Sequence, residues 1–249
     1  MKKAIFLPLA VSLMVLILNA CGQRPQPTPH DEAISIFDSI PGDSTYYGLA
    51  CDGSTDSMLI LLPYSGNKLD TFDILDARME HHIYGRPRIG DLLAVIADPD
   101  TTGVARMVID MNVLQKEWSY LAYPTLRTRP DGQTRPIPDS ILQRIMAPRE
   151  YSLRLRRGGM AFTKGGVPQQ SSDDRRPVDF PDSKRYSQWH LFNGKLILAT
   201  DSTHGMQTDT ATIVLLRRDS LVLRFSDHEQ GYYNKEARDS MLRQNTNNK

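Results

Sequence analysis

The sequence predicts a mainly β protein, built as two small antiparallel β domains behind a short secretion segment. Three observations predict it. Apolar and polar residues alternate with period two in many short runs, as where Tyr151, Leu153 and Leu155 alternate with Ser152, Arg154 and Arg156. Turn chemistry separates those runs at Asp52-Gly53, Ser65-Gly66-Asn67, Asp98-Pro99-Asp100 and Asn193-Gly194. Helical signals are few and short, over 72–80, 140–146 and 235–243.

The chain opens with Met1-Lys2-Lys3 and an apolar run over 4–18 that ends in Leu18-Asn19-Ala20-Cys21. That run is too short for a stable bilayer-spanning helix, and small residues before the cysteine mark a cleavage site. The segment resembles a bacterial lipoprotein signal with its lipobox. The resemblance implies that residues 1–20 are removed and that Cys21 becomes an acylated N-terminus. With about 0.8 kcal/mol for each buried methylene, two or three chains hold firmly to a membrane. Residues 21–33 carry Pro25, Pro27 and Pro29 and read as an extended tether of about 35 Å. No acidic cluster follows Cys21, which by analogy with lipoprotein sorting points to the outer membrane, periplasmic face before surface.

A first domain is expected over 34–112, with strands at 45–52, 57–62, 81–86, 91–97 and 104–110 and the helix at 72–80. Five strands and one helix suit a small barrel of the oligonucleotide/oligosaccharide-binding (OB) type. Cys51 reads as a buried, inert thiol on the first strand. Once Cys21 is acylated no second thiol remains for an internal disulfide, so the fold must rest on its apolar core.

A second domain is expected over 113–226. Hairpins run through 151–156 into 160–164, through 186–193 into 195–200 about Asn193-Gly194, and through 209–217 into 219–225. Alternation places Trp189, Leu191, Leu196, Leu198, Ile213, Leu215, Leu221, Leu223 and Phe225 inward. Such a meander must close on itself or be covered. Asp139 is the expected N-cap of the helix over 140–146, a candidate cover. The polar stretch 165–184 reads as a loop able to act as a lid, and 227–249 as a polar tail.

Lys116-Glu117-Trp118, then the run from Trp189 to Leu198 and Asp219-Ser220-Leu221-Val222-Leu223, resemble the lipocalin-like domains of Bacteroidetes lipoproteins. The resemblance covers 114–225 and departs from the family's glycine-x-tryptophan signature at Lys116. It implies a β barrel and an envelope address, with no defined activity. In that group, Asp followed by Ser or Thr and then an aliphatic residue, Met or Thr is an O-glycosylation site. The chain matches at Ser39, Ser44, Ser57, Thr101, Ser140, Ser202, Thr210, Ser220 and Ser240. Asp-Ser and Asp-Thr also serve as ordinary turn and cap residues.

Charge is unevenly spread. Residues 21–126 hold seven Lys/Arg against fifteen Asp/Glu, whereas 127–185 hold thirteen against seven. Arg154, Arg156 and Arg157 are therefore a candidate surface for an anionic glycan, or else a solvated sheet face; alternatively the acidic first domain docks on the basic segment. Nucleic acid is not expected, since no basic-aromatic interleaving occurs. Neither is catalysis: there is no nucleophile elbow, phosphate loop or metal-ligand spacing, and adjacent His81 and His82 on a strand would face opposite ways. No cofactor or metal is implied. Two functions remain. One is an accessory module, anchored in the membrane and presenting its surface to an envelope protein or glycan. The other is a lipocalin-like carrier of a small apolar or amphipathic ligand. Bulky inward residues on every strand favour the first, and a roomy cavity inside the barrel would favour the second.

Overall fold

The computed structural model describes residues 40–64, 66, 68–127, 137–165, 178–181, 183–202 and 205–240. Cys21, Ser39, the tether and most of the expected lid loop lie outside them. Among the described residues, no helix is long and apolar enough to cross a membrane.

The protein is mainly β. The first sheet contains β1 (Thr45–Ala50), β2 (Met58–Pro63), β3 (Asp70–Asp73), β4 (Ile83–Tyr84), β5 (Leu92–Ala97) and β6 (Ala105–Asp110), in the order β3-β2-β1-β5-β6-β4. A parallel bridge between Asp73 and Val104 brings β3 back to the start of β6. Five strands thus curl into a small, partly open barrel, with helix α1 (Leu75–Met79) crossing between the third and fourth of them. This is the OB-like inventory, plus the two-residue β4 that pairs in parallel with β6. The expected helix over 72–80 is shorter, because Phe72 is a buried strand residue opposite Leu59. The expected strand over 81–86 shrinks to two residues. His81 instead closes the helix in the left-handed region (φ 62°), and the His82 N–H returns to Ala77 O. The two histidines therefore occupy a turn, with His82 Nδ1 3.3 Å from Glu80 Oε2.

The second sheet contains β7 (Glu117–Ala122), β9 (Arg149–Leu155), β10 (Ala161–Lys164), β12 (Gln188–Phe192), β13 (Lys195–Ser202), β14 (Gly205–Leu216), β15 (Ser220–Arg224) and β16 (Glu229–Asn234). They pair antiparallel in the order β10-β9-β7-β16-β15-β14-β13-β12, which leaves β10 and β12 as the two edges. A bridge between Met160 and Gln188, with Trp189 N–H donating to Gly159 O at 2.7 Å, joins β10 to β12. The result is an eight-stranded up-and-down antiparallel barrel, the architecture of small ligand-holding barrels. Residues 229–234, read from the sequence as tail, form its last strand; Tyr232 and Asn234 are buried there. A short pair, β8 (Thr125–Leu126) with β11 (Val178–Asp179), stands apart, tied by Arg127 to Asp179 at 2.6 Å. Helix α3 (Asp139–Ile145) forms where expected, but Pro138 holds its N-cap position and no residue of it is buried.

Strand β5, Leu-Leu-Ala-Val-Ile-Ala, explains how the two barrels meet. Leu93 and Val95 point into the first barrel's core with Leu61, Phe72 and Val108. Leu92, Ala94 and Ile96 point the other way, into a second core shared with Leu114, Trp118, Leu196 and Leu221. A strand buried on both faces must be apolar at every position. The Asn193-Gly194 turn locks the junction, with φ of 48° and 78° as a primed hairpin turn requires. Ser44 N–H donates to Asn193 Oδ1 at 2.8 Å, and Asn193 N–H to Asp43 Oδ1 at 2.9 Å. Helix α2 (Met111–Leu114) links the barrels. It is capped by buried Asp110, which accepts from Val113 N–H at 3.1 Å.

Candidate functional site

Inward positions of the eight-stranded barrel change character along its axis. At the end facing the first barrel they are Trp118, Leu155, Leu191, Leu196, Ile213 and Leu221, all fully buried. The Trp118 indole N–H donates to Leu114 O at 2.9 Å, sealing that end against α2. Moving towards the other end, Trp118 is followed on β7 by Tyr120, Leu153 on β9 by Tyr151, Ala161 on β10 by Thr163, and Ala211 on β14 by Asp209. Large aliphatic residues fill one half of the barrel, and tyrosines with polar groups line the other.

The lined half opens as a cup of about 740 Å³. Tyr120 stacks on Tyr151 with ring centroids 5.2 Å apart and meets Tyr232 edge-on at 5.3 Å. Tyr186, just before β12, donates its hydroxyl to Asp209 Oδ2 at 2.8 Å, and Lys184 Nζ reaches Oδ1 of the same carboxylate at 2.7 Å. Asp209 thereby fastens the 184–186 segment across one side of the mouth. On the rim Phe225 stacks on His228 at 4.9 Å, and His228 contacts Asp227, whose carboxyl its hydrogen bond holds below the usual range.

Burial raises the phenol pKa values of Tyr120, Tyr186 and Tyr232, and at Tyr186 the Asp209 carboxylate raises it further. The phenols therefore stay protonated through the physiological range and act as hydrogen-bond donors. An aromatic wall with phenol hydroxyls at its edges, and carboxylates already held by Lys184 and Tyr186 (Asp209) and by His228 (Asp227), suits an amphipathic molecule carrying oxygen acceptors. Among the described residues, no group of three or more His, Cys, Asp or Glu is placed to hold a metal.

The residues singled out from the sequence are scattered. Arg154, Arg156 and Arg157 are exposed at the filled end, with Arg154 3.9 Å from Glu117 and the Arg156 guanidinium 4.9 Å above the Phe162 ring. Ser57, Thr101, Ser140, Thr210 and Ser240 are exposed. Ser44 is half-buried and donates to Asn193 Oδ1 at 2.8 Å, and Ser220 donates to Asp219 Oδ1 at 2.8 Å. Ser202 ends β13, opposite Gly205. Cys51 lies just past β1 and is half-buried rather than buried, with Sγ 3.6 Å from Leu49 O. Leu215, expected inward, is displaced by a β-bulge between Ile213 and Leu215, and Leu216 is buried in its place.

Among the apolar and aromatic cup residues, Tyr151, Leu153 and Phe225 belong to alternations visible in the sequence. Tyr120, Tyr186, Asp209 and Tyr232 emerge from pairing register. The available signal was the switch from Leu to Tyr, Thr or Asp at successive inward positions. No family model, curated protein or solved structure matches this chain.

Proposed function

We propose that this protein is a lipid-anchored envelope module whose eight-stranded barrel binds a small amphipathic ligand in its tyrosine-lined cup. The observation that carries the reading is the half-filled interior: a packed floor below a cup of about 740 Å³, a volume usual for small-molecule sites. Most of the bulky inward residues that favoured an accessory module are packed out of reach of the cup, with Phe225 on its rim. The address rests on the lipobox resemblance and the acyl acceptor Cys21. Exposed Ser57, Thr101, Ser140, Thr210 and Ser240 are the sites at which glycosylation is proposed. The lipocalin-like resemblance agrees with ligand carriage by such a barrel. Titration with N-phenyl-1-naphthylamine, a neutral aromatic probe, tests the reading. One saturable site per chain is expected, abolished by Thr163→Trp, which fills the cup from β10 without entering the packed floor. Absence of saturable binding, or binding unchanged by that substitution, would overturn the proposal.

A further inference from the structure

A second concavity, of about 1060 Å³, lies where the first barrel meets the end of β14, and it shares no lining residue with the cup. Its charge is one-sided. Residues 21–126 contain only seven Lys/Arg among fifteen acids, yet three of the seven, Arg78, Arg86 and Arg88, line this groove. Arg217 joins them from the second barrel, beside His81. The single acid in the lining, Asp56, is already held by Arg78 at 2.6 Å. Among the described residues, neither Arg86, Arg88 nor Arg217 makes an ion pair through its side chain. A strongly acidic half of the chain has thus placed three of its five guanidiniums on one concave face.

The backbone there is held in an unusual conformation. Arg86 adopts a φ of 70°, between Gly85 at 103° and Pro87. An arginine in the left-handed region costs about 1–3 kcal/mol, and a following proline adds restriction. The turn is pinned by Gly85 N–H donating to Leu216 O at 3.1 Å, and a Cβ at Gly85 would lie 2.4 Å from Asp110 Cβ. Arg86 and Arg217 also both line the adjoining cleft, where Lys116 and Arg218 stand with Asp219 and Glu236. Apolar side chains share the lining with the guanidiniums: Ile83 and Val214 are partly exposed, Leu59 and Ile74 are buried, and Ile89 stands 66% exposed.

We infer that this groove binds a phosphorylated lipid, its phosphate held by Arg86, Arg88 and Arg217 and its chains lying against Ile83, Ile89 and Val214. Guanidinium forks match phosphate oxygens in pairs, and unpaired arginines above exposed aliphatic side chains fit an anion with an apolar portion. The strained turn presents Arg86 to that anion.

The test uses the full chain in dodecyl maltoside and titrates dihexanoyl phosphatidic acid or tripolyphosphate by calorimetry. Phosphatidic acid is expected to bind at one site, at least tenfold tighter than tripolyphosphate. The R88A/R217A variant is expected to weaken it about tenfold for each guanidinium removed. R86G is expected to weaken it comparably without lowering the melting temperature, because glycine accepts the positive φ. R154A/R156A/R157A, on β9 and the turn after it and outside the lining of the groove, is expected to leave binding unchanged. Lack of binding, equal affinity for tripolyphosphate, or equal loss in R154A/R156A/R157A would each overturn the inference. Retained affinity in both R88A/R217A and R86G would do the same.

Discussion

Ile96→Ala is expected to destabilise both barrels together. Ile96 is 1% exposed and lies on the outward face of β5, in the core that the two barrels share. The substitution deletes three carbons at a site with little freedom to collapse. Gly194 of the docked turn sits so close that a Cβ there would lie 3.4 Å from Ile96 Cγ1. Buried Ile→Ala changes cost about 2–5 kcal/mol, with the upper half of that range applying where surroundings stay rigid. A loss of about 3–5 kcal/mol is a large part of ordinary domain stability and corresponds to a fall of roughly 6–20 °C in Tm. Hydrogen exchange read by mass spectrometry separates the barrels. The amides of β2 report the first and those of β15 the second. Protection in both strands is expected to fall by the same free energy. If β2 loses protection while β15 keeps it, the shared core does not couple the barrels and the reasoning fails.

Gly194→Ala is expected to cost about 1–2 kcal/mol, because alanine is strained at a φ of 78° and its Cβ would meet Met107 Sδ at 2.7 Å; urea midpoints check it. Burial, ahead of nearby Asp91, raises the Asp110 carboxyl pKa above its ordinary value of 3.8. Its contribution is therefore most favourable below about pH 3.8 and is lost as pH rises through the higher folded value. Asp110→Asn keeps a cap acceptor without the charge. The stability of the wild type relative to this variant is expected to decline from acid towards neutral pH, as paired denaturation series would show. Cys21→Ser is expected to abolish incorporation of a labelled palmitate analogue and to release the protein from membranes on fractionation.

The two barrels were legible in the sequence because their strands carry strong local signals. Leu92–Ala97 is apolar at every position since both of its faces are buried, and Asn193-Gly194 is the turn its positive φ angles demand. Phe72 was misread as helical because a four-residue strand runs directly into α1. Glu229–Asn234 was missed because an edge-closing strand with Gln230 facing the cup shows little hydrophobic alternation. The cup itself was not legible, because it is a property of register: Tyr120 meets Tyr151 only through β7–β9 pairing, and Tyr232 enters through the strand that was overlooked. Apart from Leu215, which the bulge displaces, most bulky inward residues were rightly found, but sequence spacing does not tell which end of a barrel they fill.

The central claim is that the open half of the eight-stranded barrel holds a ligand. Native mass spectrometry of the protein gently extracted from its own cells, wild type beside Thr163→Trp, tests it most directly. The wild type is predicted to carry a small-molecule mass beyond any acyl chains or glycans, and the cup-filling variant to lack it. A wild type with no such adduct, or an adduct kept at full occupancy in Thr163→Trp, would contradict the account.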